Sequence, residues 1–199
     1  MSQLLETIKS ENGKLINLKW HNSRFNRSRE IYFGVNEVVD LAEIIEIPEQ
    51  AKTGLFRCRV TYSTHIEKVE FLPHQYRKIE WLKLVEDNSI DYRFKYADRT
   101  FLQKLFEKRG DCDDILIIKN GFITDSFTAN TVFFDGENWW TPNTPLLPGT
   151  QRARLLYEGE ISECRITPED LPKYKAVSLI NAMQDMEIFP RIPIENIFR

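Results

Sequence analysis

The sequence is poor in the residues that build metal centres and disulfide frameworks. Its three cysteines, Cys58, Cys112 and Cys164, are odd in number and never stand as C-x-x-C, which argues against both a disulfide scaffold and a zinc site. They are expected as reduced thiols. The three histidines, His21, His65 and His74, lack H-x-x-x-H or H-E-x-x-H spacing, so metal catalysis has no candidate ligand set. The eight glycines never form G-x-G-x-x-G or a P-loop, which leaves Rossmann-type nucleotide binding without support. Nowhere do about 18 apolar residues run together, and Glu6 and Lys9 fall where a secretory signal would be apolar. The chain is therefore expected in the cytoplasm, without a membrane. Lys and Arg number 27 against 30 Asp and Glu, a net charge of −3, so there is no basic excess to neutralise a run of phosphates and nucleic acid is not an expected partner. Internal repeats, low-complexity tracts and Gly/Ser linkers are also missing.

What is present is 199 residues with 42% hydrophobic and 12% aromatic side chains, enough for a substantial core but short for two independent domains. One unit of two lobes is expected. Leu4 to Lys9 and Leu15 to Lys19 flank Glu11-Asn12-Gly13, whose Asn-Gly pair favours a hairpin turn. His21 to Phe33 places Phe25, Arg29, Tyr32 and Phe33 on a helix face. Leu55 to Thr64 and Val69 to Leu72 read as a second strand pair. Asp98 can cap a helix through Arg109, with Phe101, Leu102, Leu105 and Phe106 on one face and Gly110 as its stop. Strands follow at Ile115 to Ile118, Thr131 to Phe134 and Trp139 to Thr141, with a turn at Asn120-Gly121, a loop from Pro142 to Gly149 and a helix from Thr150 to Tyr157. The pattern is α/β of the α+β type: a small N-terminal α/β lobe over residues 1–90 and a larger mixed-sheet lobe over 91–199, divided near residues 86–94.

The segment from Asp113-Asp114 through Ile123-Thr124-Asp125, Asn130-Thr-Val-Phe133 and Gly136, followed by Thr141-Pro142 and Leu147-Pro148-Gly149-Thr150-Gln151-Arg152, carries the most information. Its order and spacing resemble the signature of the class IV aminotransferases, the fold type IV enzymes dependent on pyridoxal 5'-phosphate (PLP). This group includes branched-chain and D-amino-acid aminotransferases and 4-amino-4-deoxychorismate lyase. Leu5-Glu6-Thr7-Ile8-Lys9 and His21-Asn-Ser-Arg24-Phe extend the resemblance upstream, so it spans most of the chain.

The resemblance implies a role for each matching residue. Lys95, set between Phe94 and Tyr96, stands at the position of the lysine that carries the cofactor as a Schiff base; Lys83 and Lys104 are its rivals. Flanking aromatics can desolvate such an amine and leave it free to attack an aldehyde. Asp125 matches the carboxylate that faces the pyridine nitrogen, one methylene shorter than the family's usual Glu, and is otherwise a hairpin-turn aspartate. Asn130, in the same element, is expected among the cofactor-binding residues. Gly149, Thr150 and Gln151 open a helix whose N-terminus suits a phosphate, with Gln151 in place of a usual threonine. Arg24 matches the phosphate-binding arginine; its alternative is a solvated helix position of the kind expected for Arg27 and Arg29.

The motif specifies the cofactor more closely than the reaction. Ser178-Leu-Ile-Asn181-Ala182-Met183, read as the loop after the last large-lobe strand, is closer to the lyase's Asn-Ser-Leu element than to the transaminases'. Arg57 or Arg59 on the first-lobe strand would suit a dicarboxylate substrate. The 4-amino-4-deoxychorismate lyase reaction, releasing 4-aminobenzoate and pyruvate from a small-molecule substrate, is the leading expectation, an aminotransferase for branched-chain or D-amino acids the alternative, and a PLP- or phosphate-binding domain without turnover the third. The family also implies a homodimer.

Overall fold

In the computed structural model, residues 2–184 and 191–199 are described. The chain divides into two compact units, Met1–Tyr76 with Phe94–Asp98, and Arg77–Arg93 with Arg99–Arg199.

The first unit is an antiparallel sheet covered by a helix. Strand β1 (Leu4–Glu11) turns through Asn12 and Gly13, at φ 48° and 75°, into the short β2 (Lys14–Leu15). Two successive positive φ angles make this the primed turn that Asn-Gly favours. The expected strand through Lys19 ends at Leu15, because Asn17 adopts φ 57° and helix α1 (Leu18–Ser28) starts directly after it. The helix continues as a π-helical turn, Arg29–Phe33, which Gly34 ends at φ 72°. A short helix α2 (Leu41–Ile44), capped by Asp40 Oδ1 accepting from the Ala42 amide at 2.9 Å, escaped the sequence reading. Strands β3 (Leu55–Tyr62) and β4 (Ile66–Pro73) complete the sheet in the order β2-β1-β3-β4. Its core gathers Leu4, Ile8, Phe25, Leu41, Cys58, Val60 and Tyr62. Arg29, expected in solvent, is buried: its guanidinium donates to the Glu37 and Thr64 carbonyls at 2.7 and 3.1 Å and lies over the Phe25 ring.

The second unit holds two sheets. Strand β5 (Leu82–Glu86) pairs in parallel with β6 (Asp114–Lys119), so residues 77–93 belong here rather than in the first lobe, where the expected division had put them through residue 90. Helix α3 (Thr100–Glu107) lies between these strands in sequence. It starts two residues after Asp98, with Arg99 at its N-cap and no side-chain cap. β6 is buried on both faces, as its Ile-Leu-Ile-Ile run demands of a central strand. Asn120 and Gly121, at φ 53° and 81°, turn it into β7 (Phe122–Ile123). The other sheet contains β8 (Asn130–Phe134), β9 (Trp139–Pro142), β10 (Ser162–Cys164), β11 (Ala176–Ile180) and β12 (Ile192–Pro193), in the order β10-β9-β8-β11-β12. Helix α4 (Thr150–Tyr157) connects β9 to β10, and β13 (Ile197–Phe198) adds to β5 in parallel. Ser178 to Ile180 lie inside β11 rather than in a loop, paired with β8; the turn begins only at Asn181, whose Oδ1 accepts the Met183 amide at 2.9 Å.

Three buried threonines tie the strands around the candidate site. Thr124 Oγ1 donates to the Ile117 carbonyl at 2.9 Å, Thr131 Oγ1 to that of Thr124 at 3.0 Å and Thr141 Oγ1 to that of Thr131 at 2.9 Å. Each hydroxyl buried in this way is satisfied, which avoids the cost of an unpaired polar group. No helix among the described residues is long and apolar enough to cross a membrane.

Candidate active site

Side chains alternate along a strand, so Glu6 shares a face of β1 with Leu4 and Ile8 and points among the apolar residues beneath α1. His21 and Arg24, one helical turn apart on α1, meet it there. Arg24 Nε donates to Glu6 Oε1 at 2.8 Å and Arg24 Nη2 to Oε2 at 2.6 Å, a bidentate pair, while His21 Nδ1 lies 2.6 Å from Oε2. Burial alone would raise the pKa of Glu6, but the charge and hydrogen bonds of Arg24 and the bond from His21 hold it at about 2. Burial also pushes the His21 pKa down, helped by the positive charges of Arg24 and Lys95 and opposed by Glu6. A neutral His21 therefore donates its Nδ1 hydrogen to Glu6.

Lys95 belongs to this same unit. Its carbonyl accepts the Leu5 amide at 2.8 Å, Tyr96 bridges Leu4, and the Ala97 amide donates to Gln3 at 2.9 Å, so residues 95–97 are stitched along β1. The flanking Phe94 and Tyr96 both pack against Tyr32, with ring centroids 5.0 and 5.9 Å away. Arg57 and Arg59 lie on β3 in register with Lys9 and Thr7, on the face turned away from Cys58 and Val60 in the core.

Asp125, Asn130, Gly149, Thr150 and Gln151 lie in the second unit. The Asp125 carbonyl accepts the Ile117 amide at 2.8 Å, and a tight turn, closed by Ser126 N–H to the Ala129 carbonyl at 2.8 Å, brings the chain back so that Asp125 bridges Asn130. Asp125 Oδ1 accepts Asn130 Nδ2 at 2.9 Å and Oδ2 accepts the Leu147 amide at 2.9 Å. The same Asn130 nitrogen donates to the Leu147 carbonyl at 2.8 Å. The Asn130 amide nitrogen thus ties Asp125 to the 142–149 loop. Asp125 is only 6% exposed, and burial raises its pKa to about 7 against the lowering by Leu147, Asn130 and Arg152. It is a carboxyl group poised between protonation states.

Gly149 closes the group. Its φ of −70° is open to any residue, so space rather than backbone freedom requires glycine: a Cβ there would stand 2.0 Å from Asn130 Oδ1. Gly149 is the N-cap of α4 and supplies no side-chain cap, and Thr150 and Gln151 form the buried first turn. Arg152 anchors this turn by donating to the Pro142 carbonyl at 2.9 Å and to Glu163. Two contributions were given no role from sequence, that of Glu6, noted only within its upstream motif, and that of the Leu147 amide. A carboxylate standing in the apolar alternation of β1 was the available signal for Glu6; a backbone donor leaves none.

The class IV amino-transferase family model matches residues 3–190. An uncharacterised protein of Haemophilus influenzae is 38% identical over 188 residues, 94% of this chain and 100% of that protein. A crystal structure from Haemophilus somnus, provisionally named 4-amino-4-deoxychorismate lyase, is 36% identical with a TM-score of 0.86, covering 94% of this chain and 98% of that one. Another, from Mesorhizobium loti and provisionally named an amino-acid aminotransferase, shares the fold at a TM-score of 0.80 and 23% identity, covering 97% and 98%. By its sequence and its fold, the chain belongs to the class IV aminotransferase family.

Proposed function

We propose that this protein is a PLP-dependent enzyme acting as 4-amino-4-deoxychorismate lyase, converting its substrate into 4-aminobenzoate and pyruvate in folate synthesis. The observation that carries the reading is the arrangement around Asp125: a buried carboxyl group held near pKa 7, beside an eight-residue helix that starts without a side-chain cap. Both features fit PLP. A buried carboxyl is stabilised as the anion by a protonated ring nitrogen, and a helix N-terminus favours a phosphate. The choice of reaction is supported by the 36% identity to the Haemophilus somnus protein.

When bound, PLP supplies an electron sink for the bond cleaved at the substrate's α-carbon. In this reading Asp125 keeps the ring nitrogen protonated, and Asn130 and the Leu147 amide hold that carboxylate in place. The first turn of α4 at Gly149, Thr150 and Gln151 would hold the phosphate, and Arg24, fixed by Glu6, has the phosphate-binding role that its motif position implies. By its motif position Lys95 Nζ would anchor the cofactor covalently and move the substrate proton as acid and base. The active form is proposed to be a cytoplasmic homodimer, which light scattering would report as twice the chain mass.

Incubation with aminodeoxychorismate should release 4-aminobenzoate. Glutamate formed from amino acids and 2-oxoglutarate, with no 4-aminobenzoate, would instead establish the aminotransferase reading. Neither product would identify a binding domain. Borohydride reduction of the PLP-loaded protein should label Lys95 alone, and an adduct on Lys83 or Lys104 would overturn that assignment.

A further inference from the structure

The turn that carries Asp125 is gripped at its tip from two other elements of the second unit. Phe127 stands at that tip, and both of its backbone polar groups are held by charged side chains. Its amide donates to Asp114 Oδ1 at 3.2 Å, and its carbonyl accepts from Arg99 Nη2. Asp114 Oδ1 also accepts its neighbour's amide, Ile115 N–H, at 2.7 Å, which fixes the carboxylate to the start of β6. The Phe127 ring stacks on Phe106 of α3, with centroids 4.3 Å apart and planes 20° from parallel, and the Arg99 guanidinium carbon lies 4.4 Å from its centre. Cation and ring at that distance attract one another.

This is an expensive way to hold a four-residue turn. Asp114 is fully buried, and burial raises its pKa to about 6 although the Ile115 and Phe127 amides and the charges of Arg77 and Arg99 all lower it. Asp114 Oδ2 and Arg99 Nε are both buried without a hydrogen-bond partner among the described residues. A turn needing only to close could do so with its own Ser126-to-Ala129 bond and a solvated tip. In some proteins a buried charge of this kind is retained because it sets a geometry.

We propose that Arg99 and Asp114 are positioning residues for Asp125: by fixing Phe127 they hold the 126–129 turn in the one conformation that keeps the Asp125 carboxyl against Asn130 and the Leu147 amide. The functional consequence rests on the reading of Asp125 as the ring-nitrogen carboxylate, whereas the geometric claim can be tested on protein free of cofactor.

The test is a carbon-13 NMR titration of Asp125 in the cofactor-free full-length protein, for wild type and for Arg99→Met, which keeps apolar cover on Phe127 but removes the donor and the charge. Removing a nearby cation acts on a carboxyl only by raising its pKa. Loosening the turn acts oppositely on balance: it gives up the Leu147 and Asn130 bonds, which lower the pKa, but admits water to a carboxyl on which burial, the raising effect, is the largest. The expected result is therefore a fall of at least one pH unit from the wild-type midpoint of about 7 in a folded protein, with faster amide exchange at Leu147 and recovery in Arg99→Lys. A midpoint that stays or rises while thermal stability drops would make Arg99 a structural residue and overturn the proposal.

Should Arg99→Met fail to fold, Asp114→Asn and Asp114→Ala answer the same question. Both are neutral, but only asparagine retains an acceptor for the Phe127 amide, so the midpoint should fall further in the alanine variant; equal midpoints would refute the clamp. PLP affinity measured in parallel separates the two claims. A shifted Asp125 midpoint with unchanged PLP affinity supports the clamp and refutes the cofactor role of Asp125.

Discussion

Replacing Gly149 with alanine adds a single methyl group to the N-cap of α4. At φ −70° that substitution is free of backbone strain, and elsewhere it would stabilise the fold by about 0.4–1 kcal/mol by restricting the unfolded chain. Here the new Cβ would stand 2.0 Å from Asn130 Oδ1, at least 1 Å closer than such atoms approach. The Asn130 amide must swing away, giving up its bonds to the Asp125 carboxylate and the Leu147 carbonyl. A bond to a charged group is worth about 1.5–3 kcal/mol and a neutral one about 0.5–1.5 kcal/mol. Subtracting the entropic gain leaves a net loss of roughly 1–4 kcal/mol. Urea denaturation should show it as a lower midpoint at unchanged slope. The decisive measurement repeats the substitution in an Asn130→Ala background, where the obstacle is gone. There Gly149→Ala should be neutral or stabilising, so the sign of its effect reverses. Equal destabilisation in both backgrounds would show that Asn130 is not the reason for the glycine.

Glu6→Gln leaves a largely buried Arg24 without its carboxylate and should destabilise by about 3–5 kcal/mol in denaturant unfolding; a loss under 1 kcal/mol would mean that the pair is solvated. Asp125 has a folded-state pKa raised to about 7, so its protonated form favours folding: that contribution is complete below the unfolded-state value near 4 and disappears as pH rises through 7. The stability of wild type relative to Asp125→Asn should therefore decline between pH 4 and 7, on the order of 3–4 kcal/mol, and a flat difference would place the Asp125 pKa in the ordinary range. Glu6 acts in the reverse direction, its stabilisation being present above its unfolded-state value and lost as pH falls towards 2. Phe133→Ala, at a fully buried position of β8, should cost about 3–5 kcal/mol without moving the Asp125 titration, and a shift there would tie the site to that core.

How much of this was legible in the sequence depended on whether the signal was local. Asn12-Gly13 and Asn120-Gly121 announce their turns because few residues tolerate two positive φ angles in succession. Thr150 to Tyr157 was readable for a similar reason, with Pro148-Gly149 before it and helix formers within. The four-residue α2 and the two-residue β13 were not, since elements that short depend on tertiary partners more than on their own propensity. Likewise the motif identified Asp125, but not what surrounds it. The Leu147 amide is a backbone donor that any residue would supply, and it lies 22 positions away. Arg29 was misjudged on its charge alone: its spacing of four from the buried Phe25 already put it on the covered face of α1, where the Glu37 and Thr64 carbonyls receive its guanidinium.

The stretch Phe94–Asp98 completes the first unit after the chain has already entered the second. The two halves are consequently interleaved in the gene and cannot be exchanged as cassettes. A fragment ending at Tyr76 would lack the Lys95 carbonyl that receives Leu5 and the Ala97 amide that reaches Gln3, exposing an unpaired margin of β1 to other copies. A splice at residue 99 would retain those contacts but leave β5 in the wrong partner, stranded from β6. Recombination within this family is therefore expected to succeed only between parents that match on both sides of the crossing, and a chimera library could be scored for soluble yield against breakpoint position.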